Sequence, residues 1–189
     1  MDTPIAALLG AIPQEAREYL SAGDGLGQAS VQQRHPNIQE TLGAPATRAA
    51  IVAWLAHGET ATPPNAGFVT RCLQYLGPKA APHEAHVVRR FLLHSSASVR
   101  TAAYEFFIAL YFPDRNREAL YMLLNTMMID PDDGVRAQAV RYIERAGATE
   151  ELRPFLTQWR AGAYQSGWGR TSAYELVERL LGEPSQIRR

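Results

Sequence analysis

A chain of 189 residues is long enough for one compact domain with a sizeable core and short for two. Charged residues make up 20% and hydrophobic residues 46%, and 19 basic residues balance 19 acidic ones to a formal net charge of zero. This composition excludes a disordered polyelectrolyte, and the balance of charge removes the global field that draws a protein to nucleic acid or to an anionic membrane.

Taken in chain order, residues 1–45 predict short helices and loop. Residues 4–12 and 13–22 each open near a proline, Pro4 and Pro13, which suits a first helical turn. Gly23-Asp24-Gly25-Leu26-Gly27 then reads as a flexible connector, and residues 28–45 as polar and partly irregular, interrupted by His35-Pro36 and Gly43-Ala44-Pro45. No basic region followed by an apolar stretch marks a signal peptide, and no window approaches a membrane span, so the expectation is a cytoplasmic protein with no membrane partner.

Residues 46–82 predict a divergent helical pair. Ile51, Trp54 and Leu55 share one face of residues 46–57, while Phe68, Val69, Cys72, Leu73 and Leu76 share one face of residues 67–76. A longer linker, residues 58–64, joins them. Cys72 is the single cysteine, so no internal disulfide and no thiol cluster for zinc exists; its apolar neighbours make it a small buried hydrophobe.

Residues 83–111 and 114–147 carry an internal repeat. A shift of 36 residues places Val87 on Leu123, Val88 on Leu124, Phe91 on Met127 and Leu92 on Met128. The same shift places Val99 on Val135, Arg100 on Arg136, Ala103 on Ala139 and Phe107 on Ile143. Within each unit the apolar residues step by three and four, and a short run rich in capping residues separates two helices, which makes the helices antiparallel. The second unit, with Asp130-Pro131 in its turn followed by Val135-Arg136 and Ala139, resembles the HEAT-repeat family. The first keeps Val99-Arg100 and Ala103 but has Ser95-Ser96 where that family has Asp-Pro. The resemblance covers about a third of the chain and implies an all-α fold, an α-solenoid of antiparallel helical hairpins with an irregular N-terminal segment. Residues 148–189 then supply two capping helices, and the whole, 1–189, is expected to be one α-helical domain.

Several residues are candidates for chemistry. Arg100 and Arg136 occupy equivalent positions, and pairing with turn acids such as Asp130 or Asp132 is what the resemblance implies for them. Arg141 and Arg145 lie one turn apart on a helix, but from Glu84 to Arg145 eight arginines are matched by eight acids, which argues against a phosphate-binding groove. His83-Glu84-Ala85-His86 lacks the spacing and the further ligand of a zinc site and reads as solvated histidines. No nucleophile elbow, phosphate loop or dinucleotide fingerprint occurs. Between Trp159 and Tyr174 lies a glycine-bearing segment with Tyr164, Trp168 and Arg170. These are anchor residue types of protein interfaces, unless the loop folds back over the end of the helices.

The expectation from these features is a non-catalytic protein-binding module without cofactor or metal. It would serve as an adaptor or an inhibitor, for example a bacterial immunity protein that binds and neutralises a toxin. Tyr164, Trp168, Arg170, Arg141 and Arg145 are the candidate contact residues. The alternative is a DNA-binding or DNA-repair protein, since HEAT-like-repeat glycosylases share this architecture. A third class is a lyase or chaperone for a prosthetic group, as in bilin lyases.

Overall fold

The computed structural model describes residues 5–23, 25–57, 66–112 and 116–182. Among these residues there are α-helices and short 3₁₀ segments but no strand. The fold is all-α, as the periodicity predicts. The chain divides into two compact units, residues 1–110 and residues 111–189.

The first unit contains, in chain order, α1 (Ile5–Ala11), α2 (Gln14–Ser21), α3 (Gly25–Arg34), α4 (Ile38–Gly43), α5 (Pro45–His57) and α6 (Ala66–Leu76). The stretch expected to be partly irregular therefore carries α3 and α4. Its helical signal is weak in the sequence because α3 buries only Val31 and leaves Leu26 82% exposed, while α4 buries Ile38 and Leu42 across a single turn. Gly25 opens α3 rather than extending a connector; Asp24, the linker 58–64 and the tail 183–189 lie outside the described residues.

The packing of this unit follows from apolar spacing. In α6, Val69, Cys72, Leu73 and Leu76 are wholly buried at steps of three, one and three, forming the stripe of an amphipathic helix. Each such aliphatic side chain contributes about 1.5–3 kcal/mol on burial. α2 packs against α3, α4 and α6, and α5 against α1, α4 and α6. Trp54 of α5 meets Phe68 of α6 edge to face, with ring centroids 4.9 Å apart.

A charged clamp closes the segment after α6. The Arg48 guanidinium on α5 donates from Nε to Glu84 Oε1 at 2.7 Å and from Nη2 to Glu84 Oε2 at 2.6 Å. Nη2 also donates to the carbonyls of Lys79 at 2.8 Å and Leu76 at 3.2 Å. Glu84 is 1% exposed, so this is a nearly buried ion pair that ties α5 to the turn beyond α6.

The chain then runs through a 3₁₀ turn, Pro82–Glu84, the short helix α7 (Ala85–Val88) and a further 3₁₀ segment, Arg89–Leu93, before α8 (Ala97–Tyr111). The first helix of the first repeat is thus largely 3₁₀. That winding eclipses positions three apart, which turns Val88 and Phe91 inward together and leaves Leu93 92% exposed.

The second unit contains α9 (Arg117–Met128), α10 (Asp133–Arg145), α11 (Thr149–Gln165) and α12 (Ser172–Leu181). α9 and α10 pack side by side across a short turn, and α10 packs in turn on α11 and α12. Leu120, Leu123, Leu124, Met127 and Met128 of α9 and Val135, Ala139, Val140 and Ile143 of α10 are buried.

Candidate functional site

The turns at residues 94–100 and 130–136 share three hydrogen bonds. In the second unit, Asp130 Oδ1 accepts the Asp132 amide at 2.9 Å, and Arg136 Nη1 donates to the carbonyls of Asp130 at 2.6 Å and Pro131 at 2.9 Å. In the first, His94 Nδ1 accepts the Ser96 amide at 3.0 Å, and Arg100 Nη1 donates to the carbonyls of His94 at 2.8 Å and Ser95 at 3.0 Å. Every partner is displaced by the same 36 positions. His94-Ser95, rather than Ser95-Ser96, therefore stands on Asp130-Pro131, and a ring nitrogen takes the place of the carboxylate. The two arginines hold the main chain of their own turns, and Arg136 also pairs with Asp133 at 3.2 Å.

Asp133 links this turn to the aromatic segment. Its carboxylate accepts the amides of Ser172 at 2.8 Å and Ala173 at 3.2 Å, so the first residue of α10 caps the N-terminus of α12 from outside. Thr171 is the local cap, accepting the Tyr174 amide at 3.4 Å. Burial pushes the Asp133 carboxyl up. The amides of Ala173 and Ser172, the Thr171 hydroxyl and the Arg136 charge outweigh that effect and hold it below the ordinary aspartate value.

With α12 pinned, the segment before it folds back onto the helices. Trp159 Nε1 donates to the Met128 carbonyl at 2.7 Å, and Trp168 lies with its ring centroid 6.4 Å from that of Trp159. The Arg136 guanidinium sits 4.1 Å over the Trp168 ring, a cation–π contact behind which the arginine is almost fully buried. Two glycines permit this path. Gly167 adopts φ +80°, the left-handed cap that ends α11, while a Cβ at Gly169 would lie 2.8 Å from the Tyr164 ring.

The candidate residues thus receive different settings. Trp168 is half-buried and joined to Arg136 and Trp159. Tyr164 is 70% exposed, with its ring 6.5 Å from that of Tyr174, and Arg170 is exposed on the same loop. Arg141 and Arg145 are exposed on α10, where Arg141 donates to Gln138 Oε1 at 3.1 Å and Arg145 lies 5.8 Å from the Tyr142 ring centroid. Between them Glu144 pairs with Arg179 at 3.2 Å, which keeps this surface mixed in charge.

Sequence reasoning passed over the exposed aliphatic residues. Leu93 and Ile129, 92% and 69% exposed, are equivalent under the 36-residue shift, and Met122 of α9 is 65% exposed. The alignment of the two units contains that signal, which a search for chemical motifs does not ask for.

The remaining candidates are quieter. Glu84 turns inward to Arg48, while His83 and His86 are exposed and joined through an Nδ1 contact of His86 with the His83 carbonyl at 2.8 Å. Among the described residues no group of three or more His, Cys, Asp or Glu side chains is placed to hold a metal ion. Cys72 is wholly buried, and burial pushes its thiol pKa far up, away from nucleophilic use. Among the described residues no helix is long and apolar enough to cross a membrane. The chain matches no family model, no curated protein and no solved structure.

Proposed function

We propose that this chain is a non-catalytic protein-binding module, an α-solenoid of HEAT-like hairpins acting as an adaptor or as an inhibitor of the immunity-protein kind. The observation that carries the reading is the pair Leu93 and Ile129, aliphatic side chains left in water at the same register of two repeat units. One exposed leucine needs no explanation, but an exposed aliphatic side chain at the equivalent position of each unit is suited to partner contact by each unit in its own right. Met122 of α9, seven residues before Ile129, is a further exposed apolar side chain of the second unit. The recurrence of the turn hydrogen bonds at 36 residues supports the repeat reading itself.

The test is affinity capture from the native cell with the wild type and with Leu93→Lys and Ile129→Lys as parallel baits. One protein retained by the wild type and depleted about tenfold or more by either lysine variant is the expected result, since a charge in an apolar contact is desolvated without a partner. Equal retention by all three baits would remove the basis for the proposal. So would tight duplex-DNA binding that collapses with salt, the behaviour of the DNA-repair alternative.

A further inference from the structure

A cleft of about 550 Å³ opens in the first unit, between α2, α3, α4, α5, α6 and the 3₁₀ turn Gly77–Lys79. Its size is that of a small-molecule site rather than of a packing defect. Three cations line it, Arg48, Arg71 and Lys79, together with the primary amides of Gln28, Gln39 and Gln74; among the described residues no carboxylate lines it.

The state of each cation decides what the cleft can hold. Arg48 is neutralised by Glu84 beneath it. Arg71 is fixed by the main chain at the end of α2, donating to the carbonyls of Leu20 at 3.3 Å and Gly23 at 2.6 Å, which orient the guanidinium without cancelling its charge. The Lys79 ammonium is exposed and makes no ion pair or hydrogen bond among the described residues. The acids of the neighbouring α2 are engaged elsewhere: Glu18 pairs with Arg34 at 3.0 Å and with His35 at 3.4 Å, and Glu15 accepts from Thr41 at 3.4 Å. Among the described residues, therefore, two positive charges face the cleft without a carboxylate partner, in a chain whose net charge is zero.

The rest of the lining is apolar and aromatic. Leu20 and Leu42 are buried at its wall, and the Tyr75 ring is held in place by its hydroxyl, which donates to the Leu42 carbonyl. An apolar wall, amides capable of both donating and accepting, and two unneutralised cations suit one ligand chemistry.

We propose that this cleft binds a small organic anion, with its phosphate or carboxylate group on Arg71 and Lys79 and its ring against Leu42 and Tyr75. The site is independent of the exposed aliphatic residues, so its failure would leave the protein-binding proposal standing.

The test is amide-resolved NMR titration of the full chain with phenyl phosphate, benzoate and the neutral benzyl alcohol. Saturable shifts centred on Gln28, Gly43 and Gln74 are expected for an anion, with benzyl alcohol at least about tenfold weaker. A preference for phenyl phosphate would assign the anion to the phosphomonoesters, and a preference for benzoate would assign it to the carboxylates. Lys79→Glu, a change at an exposed side chain, should weaken anion binding about tenfold or more with the amide spectrum otherwise retained. Arg71→Gln should weaken it as well, with circular dichroism reporting whether α2 remains formed. Shifts that do not saturate, that fall outside the cleft, that survive Lys79→Glu unchanged, or that benzyl alcohol matches would overturn the proposal.

Discussion

Arg136 is the residue on which the second unit turns. Its guanidinium is 2% exposed, satisfies two turn carbonyls, pairs with Asp133 and supports Trp168. Replacing it by alanine orphans those carbonyls and empties the space beneath the indole. Arg136→Ala should cost about 3 kcal/mol in urea unfolding. Arg136→Lys should recover only a minor part, because an ammonium cannot present the same planar fork. Asp133 adds a pH dependence whose sign follows from its lowered pKa. Its stabilising effect is complete above about pH 5, beyond the unfolded value near 3.9, and is lost as pH falls through the lower folded value. Unfolding midpoints measured from pH 7 to pH 2.5 should therefore decline in the acid range, and the decline should be shallower in Asp133→Asn.

At the scale of elements, what holds pieces together is often a charge meeting main chain. Arg48 joins α5 to the turn after α6, Arg71 closes the end of α2, and Arg136 and Arg100 stitch their turns. Arg48→Met should destabilise the first unit by about 3–5 kcal/mol, because it leaves Glu84 charged and unpaired inside the protein. Arg48→Met combined with Glu84→Leu should return most of that loss, a non-additivity that denaturant titration of the four variants measures directly. These contacts also mark where the sequence could be read. The long amphipathic helices α5, α6, α9, α10, α11 and α12 were legible because each repeats a buried residue every three or four positions. α3 and α4 were not, since one or two buried side chains make no period. The equivalence of Arg100 and Arg136 was legible, but the turn carbonyls they hold were not: backbone carbonyls have no letter in a sequence. The fold-back of Trp168 depends on Asp133 reaching α12, a contact across some forty residues that local spacing cannot announce.

For the whole molecule, two compact units imply two cooperative regions of protection, each open to perturbation from within. Hydrogen exchange should show Arg48→Met raising exchange chiefly in residues 5–110 and Arg136→Ala chiefly in residues 116–182. Cys72 turns that expectation into a clock. It is the only thiol in the chain and lies wholly inside the first unit. A disulfide reagent such as Ellman's can react with it only when that unit opens. Labelling of the folded protein should be at least about a thousandfold slower than in denaturant. Arg48→Met should speed the labelling, whereas Arg136→Ala should leave it nearly unchanged, so one buried sulfur separates the breathing of the first unit from that of the second.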